Sequence, residues 1–338
     1  MKATRFSMTL YISLPILASA CSIVMISHFV MLVEGRIAAE GLYGDTIDYI
    51  ALAESLHFFG SNIISFRVVG PLISGLLAGL FSLSGNESVG LLTGSLNFIY
   101  LLIGFGLMYY LSIKEDSVNS FEVALPTFLI LPLPAFWQGA FLPVPDALMF
   151  CTFAIILTAV LLRKLAVLLP AMVIGVWVSE WLLLSALILP IADILRYRLW
   201  KEGYIAFAIA FAGYLAVPLI TQIPDAHLLY RTTDWFAGLT ERFANREYSL
   251  LHAFWRSFTL TLPFFAYRIY AVGWNRITSS LSLWFGLVFV VAYLVTPDTA
   301  HRIVFLFMPA LVLWQYQPPT FQTMNKSLNR KAESAAGG

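Results

Sequence analysis

Apolar residues run in blocks along almost the whole chain, and short stretches holding most of the Lys, Arg, Asp and Glu separate them. A hydrocarbon core about 30 Å thick takes about 20 residues of α-helix to cross, so each block reads as a spanning helix. The blocks fall at 6–33, 88–111, 121–137, 147–162, 165–191, 204–223, 257–274, 280–295 and 303–314. This pattern predicts an all-α, polytopic transmembrane helix bundle of about ten spans, with 165–191 folded as a short hairpin and interfacial helices in the first extracytoplasmic loop. No repeat and no soluble domain interrupts it. Residues 1–317 are therefore expected to form a single transmembrane domain, and 318–338 a cytoplasmic tail of disordered composition.

Basic residues collect at the cytoplasmic ends of spans. Lys2 and Arg5 precede the first block, Lys114 follows the second, and Arg163 and Lys164 follow the fourth. Arg268, Arg276, Lys326, Arg330 and Lys331 fit the same alternation. It puts two long loops, 34–87 and 224–256, on the outer side. The block 165–191 has basic residues on both flanks, with Arg196, Arg198 and Lys201 after it. A hairpin with its apex near Glu180 keeps the later spans in agreement with the rule, whereas one ordinary span inverts them.

Composition narrows the function. Of 338 residues 59% are hydrophobic and 12% charged, against roughly 25% charged in a soluble domain. The net charge of +1 gives no field to recruit nucleic acid. Cys21 and Cys151 lie inside apolar blocks and read as buried free thiols. The histidines lack metal-ligand spacing, and His28 and His57 read as packing residues. The first block resembles a secretory signal, with small residues at Ala18, Ser19, Ala20 and Cys21, but its apolar run continues to Val33 and so predicts an uncleaved span.

The remaining charges are few. In GDTIDYIALAESL, Asp45, Tyr49 and Ala53 recur at i, i+4 and i+8 and share one helical face. Asp45 suits either an N-terminal cap or a chemical role. In FRVVGPLISGLLAGL, Arg67 stands at the start of an apolar helix of about 17 residues, too short and Gly-rich to span and better placed at the interface. Arg67 either snorkels to headgroups or binds an anion. Asp146, after two prolines, is placed to cap the span it opens. Glu180 lies within an apolar run, where a carboxylate costs about 2.5–3.5 kcal/mol. Asp298, His301 and Arg302 share a short outer loop. With Asp48, these charges gather at one membrane face, whereas a transporter sets its charges near the midplane.

In these residues the chain resembles the polytopic type C glycosyltransferases, which take a sugar from a polyprenyl phosphate on the outer face of a membrane. The likeness lies in an Asp with Tyr four residues on in the first outer loop and an Arg and Pro opening a short helix. It continues in Pro-Asp entering a middle span, an acidic residue in a hairpin and an Arg at the last span. The resemblance implies Asp45, with Asp48 second, as the base that takes the acceptor proton. It implies Arg67, Arg302 and His301 at the donor phosphate, and Asp146, Glu180, Tyr49 and Asp298 in supporting or acceptor-binding roles. The chain lacks the strict Asp-x-Asp or Asp-Glu pair of some relatives, which leaves a divalent cation, magnesium or manganese, open. It also lacks their large soluble domain, which leaves acceptor recognition to the outer loops. The aromatics of 224–256, among them Tyr230, Trp235, Phe236 and Trp255, either stack on sugars or anchor helices.

The implied partners are a polyprenyl-phosphate sugar donor, a glycan, lipid or protein acceptor, and membrane lipids, with no nucleic acid. The compact chain suggests a bacterial cytoplasmic membrane with the site facing the periplasm or exterior, and the sequon Asn86-Glu87-Ser88 keeps a eukaryotic secretory membrane open. A transporter or flippase of lipid-linked sugars, a polysaccharide polymerase and a non-catalytic subunit are the alternatives. The enzyme reading expects Asp45, Asp146 and Arg302 to converge on one outer-facing cavity.

Overall fold

The computed structural model describes residues 44–56, 67–113, 145–187, 189–190 and 200–221, and these are all helix or short connections. In chain order they form α1 (Gly44–Ser55), α2 (Val69–Leu80), α3 (Asn86–Ile113), α4 (Asp146–Leu161), α5 (Leu165–Val178), a 3-10 helix (Glu180–Leu187) and α6 (Lys201–Thr221). The expected blocks at 6–33, 121–137, 257–274, 280–295 and 303–314, and the tail 318–338, lie outside the described residues. Among the described residues one stretch, Asn86–Gly104 of α3, is long and apolar enough to cross a membrane, while α2, α4 and α5 are apolar but shorter. The described residues are thus all-helical, as expected, and the number of spans stays an expectation.

Helix α3, with 28 residues, is about 42 Å long at 1.5 Å per residue. Hydroxyls within the apolar helices are turned back onto their own backbone. Thr93 donates to the Val89 carbonyl at 2.8 Å, Thr152 to Leu148 at 2.8 Å and Thr158 to Ala154 at 2.7 Å. Such bonds let a polar residue sit in an apolar helix without an unpaired donor.

Helix α4 ends with Arg163 at φ 52°. The Lys164 amide donates to the Ala159 carbonyl at 2.8 Å, the closure of a helix by one left-handed residue. Helix α5 starts at Leu165, so the two helices fold back on each other across a very short turn. Within this pair Phe150, Phe153, Ile156 and Leu168 are fully buried, joined by Leu101 of α3.

Two close approaches set the rest of the packing. A Cβ at Gly104 would collide with the Phe150 ring, and one at Gly75 would collide with the Ala53 carbonyl. Asn97 and Tyr100 of α3 share a cleft wall with Pro145 and Leu148 of α4, while Gly104, further along, meets Phe150. Helices α3 and α4 therefore run in the same sense, as the charge rule expects of the second and fourth blocks. On α1 and α2, Tyr49 meets Arg67 and Ala53 meets Gly75, so these too lie side by side in one sense. Ile50, Ala53, Ala78 and Val89 close a small core between α1, α2 and α3.

Helix α2 is built inside out. Its buried residues are Pro71, Ser74, Gly75 and Ala78, whereas Leu76 is 58% and Leu80 74% exposed. A helix that faces water does the reverse.

The expectation for α2 is corrected. Helix α2 is 12 residues long and not about 17, because Ser82 turns left-handed at φ 53° and the Leu83 amide closes onto the Ala78 carbonyl at 2.8 Å. Arg67 precedes the helix instead of opening it. The block 165–191 is interrupted near the expected apex: α5 stops at Val178, Ser179 is extended at φ −164° and ψ 136°, and the 3-10 helix begins at Glu180.

Candidate functional site

The most unusual side chain of the described residues is Arg67, only 6% exposed. Its Nη1 donates to the Tyr49 hydroxyl at 3.1 Å, and Tyr49 is itself buried. A guanidinium keeps its charge at any physiological pH. Burying it costs several kcal/mol unless acceptors surround it. Tyr49 is on the inner face of α1, which the i, i+4, i+8 spacing predicts, and Arg67 reaches it from the residue pair that leads into α2.

Beside this pair lies a half-enclosed cleft of about 20 Å³. Tyr49 of α1, Gly70, Pro71 and Ser74 of α2, Thr93, Asn97 and Tyr100 of α3, and Pro145 and Leu148 at the start of α4 form its walls. Space of this size admits about one water-sized group. Asn97 and Ser74 are buried, and the Tyr100 hydroxyl is buried with no hydrogen-bond partner among the described residues. A cleft in an otherwise apolar bundle thus carries a fixed positive charge nearby and several polar groups on its walls. That combination can hold an anion and recognise hydroxyl or carbonyl groups next to it.

The predicted residues divide between this site and other places. Asp45 lies in the first turn of α1, one turn before Tyr49, and Asp48, half-buried, precedes Tyr49 directly. Asp146 is 5% exposed and adjoins the cleft-lining Pro145. It does not cap α4: Pro145 occupies the cap without a side-chain hydrogen bond, and Asp146 is the first helical residue. There its carboxylate faces the positive end of the helix dipole. Glu180 opens the 3-10 helix, which packs chiefly on α4, α5 and α6 and is not part of the cleft. Asp298, His301, Arg302 and the aromatics of 224–256 lie outside the described residues. Tyr49, Arg67 and Pro145, the residue next to Asp146, are brought together, while the expected convergence of Asp45, Asp146 and Arg302 turns on Arg302, outside the described residues. Among the described residues no three of His, Cys, Asp and Glu gather as a metal group.

Sequence reasoning missed Ser74, Thr93, Asn97 and Tyr100. A signal was available, because Thr93, Asn97 and Tyr100 recur at i, i+4 and i+7 and form a polar stripe on one face of a long apolar helix. No protein-family model, no curated protein and no solved structure matches the chain. The resemblance to type C glycosyltransferases therefore rests on the residues named above.

Proposed function

We propose that the chain is a multi-pass membrane glycosyltransferase, moving a sugar from a polyprenyl-phosphate donor to a glycan, lipid or protein acceptor on the extracytoplasmic face of a bacterial cytoplasmic membrane. The observation that carries this reading is the buried Arg67, held by Tyr49 beside a polar cleft. As the bond from the sugar's anomeric carbon to phosphate oxygen breaks, negative charge grows on the lipid phosphate. A fixed guanidinium in a low-dielectric setting stabilises that charge more strongly than water does. Asp45, or Asp48 beside Tyr49, takes the acceptor hydroxyl's proton as it attacks from the opposite face. The phosphate leaves without protonation. Asp45 and Asp48 lie one turn apart, and no third ligand joins them among the described residues.

The inside-out α2 supports the membrane setting, since Leu76 and Leu80 have acyl chains as natural neighbours. Helix α4 has 16 residues, so its cleft end stands about 24 Å from the α4–α5 turn. Arg163 and Lys164 at that turn are exposed and mark a cytoplasmic boundary. In a core about 30 Å thick, the cleft then comes near the opposite, outer boundary, where a donor phosphate lies.

The break at Ser179 favours a second reading, a flippase or other transporter of lipid-linked sugars, because interrupted helices line transport paths. One experiment separates the two. Membranes carrying wild type, Asp45→Asn or Arg67→Ala are given radiolabelled polyprenyl-phosphate sugars, and both transfer to acceptor and movement of intact donor are followed. The glycosyltransferase reading expects transfer by wild type, loss in both variants and retained folding of Asp45→Asn. Donor movement without transfer would replace it with the transporter.

A further inference from the structure

After α5 the chain doubles back and brings three exposed cations to one end of the helices. Helix α5 climbs about 21 Å from the α4–α5 turn over its 14 residues. Past the extended Ser179 the direction reverses, because a Cβ at Gly175 would lie 3.4 Å from Leu182 Cδ1. The eight residues of the 3-10 helix then return about 16 Å, at about 2 Å each. Leu189 meets the start of α6, its Cδ2 3.1 Å from where a Cβ at Gly203 would stand. Lys201 therefore opens α6 near the level of the α4–α5 turn, and α6 packs most extensively on α5.

Arg163 and Lys164 at the turn and Lys201 at the start of α6 are exposed, and Glu202 is the one acid beside them among the described residues. Both α5 and α6 begin at this end, so the positive ends of their dipoles face the same way. Apolar surface follows directly behind the charges. Lys201, Ile205 and Ile209 recur at i, i+4 and i+8 and share one face of α6. The two isoleucines are 60% and 47% exposed, and Leu165 and Val167 at the start of α5 are exposed too. Trp200, half-buried against Gly203, adds an aromatic ring of the kind that settles at a membrane boundary.

We propose that this surface binds an anionic phospholipid of the cytoplasmic leaflet, its phosphate held by Lys164, Lys201 and Arg163 and an acyl chain lying along Ile205 and Ile209. Cations set above an apolar stripe match an amphiphile, whereas a soluble anion makes no use of the isoleucines. Packed helix axes stand about 8–10 Å apart, a gap that long, flexible basic side chains close from both sides onto one phosphate. The inference rests on the membrane setting proposed above and is independent of sugar transfer.

The test uses the full chain purified in a neutral detergent. Its probes are dioleoyl phosphatidylglycerol and dioleoyl phosphatidylcholine, alike in their acyl chains, and native mass spectrometry reads the binding. Wild type is expected to bind phosphatidylglycerol at least about fivefold more tightly. Lys164→Gln and Lys201→Gln should each weaken phosphatidylglycerol about fivefold, the effect of one cation at a membrane surface, and leave phosphatidylcholine binding and the melting temperature unchanged. Lys201→Arg, and Lys326→Gln in the tail, should bind as wild type does. Equal binding of the two lipids by wild type overturns the site. So does an equal loss from Lys326→Gln, which would show attraction by overall charge. Glycerol phosphate that competes as well as the lipid replaces it with a soluble anion. A chain that alkaline carbonate releases from membranes overturns the membrane setting itself, which the other results leave intact.

Discussion

Two glycines of α2, one turn apart, allow the packing of α1 on α2 to be tested with the helix propensity cancelled. Replacing Gly by Ala inside a helix stabilises it by about 0.5–1 kcal/mol wherever the methyl group finds room. At Gly79 nothing lies within 4 Å of the new Cβ, so Gly79→Ala should show that gain. At Gly75 the methyl group would fall on the Ala53 carbonyl and the Leu56 side chain. The carbonyl is part of α1's backbone and cannot rotate away, so α1 must shift as a unit, and overpacking of this kind costs about 1–3 kcal/mol. The gain is common to both variants, so Gly75→Ala should be less stable than Gly79→Ala by about 1–3 kcal/mol, a factor of roughly 5 to 150 in the unfolding equilibrium. Reversible unfolding of the purified chain in mixed detergent micelles, followed by circular dichroism, reads this difference. Because Tyr49 rides on α1, Gly75→Ala should also weaken any function that needs the Tyr49–Arg67 bond. Equal stability of the two alanine variants would refute the close approach of α1 to α2, and with it the geometry of the cleft.

Other outcomes follow from the same structure. Tyr49→Phe removes an acceptor from a buried guanidinium and should cost about 1.5–3 kcal/mol in the same unfolding assay; an unchanged midpoint would mean that Arg67 is held without it. Gly104→Ala drives a methyl group into the fully buried Phe150 ring and should destabilise by about 1–3 kcal/mol. Phe150→Leu in the same chain should recover part of that loss, and strict additivity in the double-mutant cycle would show that the two residues do not meet. Cysteines placed at Leu76 and Leu80 in a Cys-free background should resist a membrane-impermeant maleimide in intact vesicles and react after detergent is added. Rapid labelling in vesicles would put that face of α2 in water.

Among the described residues much of the helical layout was legible, because it depends on apolar runs and local signals. Residues 88–111 and 147–162 emerge as α3 and α4 with ends shifted by about two residues or fewer, within the usual fraying of helix ends. The face of α1 was legible too, since Tyr49 and Ala53 share a turn register. The end of α2 was not. Ser82 takes a left-handed conformation usually filled by glycine, while Gly79, the residue that looks like a breaker, stays inside the helix. The Tyr49–Arg67 bond was also hidden, because its partners belong to different elements. Their meeting depends on how closely Gly75 lets α1 approach. Sequence could nominate both residues separately, but nothing local joins them. The polar stripe on α3 was missed for another reason: its Thr, Asn and Tyr are diluted in a long apolar run, and attention to charge alone passes over neutral polar groups.

The cleft draws its last wall from a distant part of the chain. Tyr49, Arg67, Asn97 and Tyr100 all leave the ribosome before Pro145 and Leu148, which complete the enclosure. Between Tyr100 and Pro145 synthesis takes about 2–9 s at roughly 5–20 residues per second. Through that interval a guanidinium and several polar groups destined for burial stand without their final neighbour. Helices α4 and α5, joined by a very short turn, can then pair locally and arrive as a preformed unit. The geometry of the cleft is in this sense a late product of its biogenesis. A chain stopped before α4 would leave exposed the polar surface that the finished protein conceals.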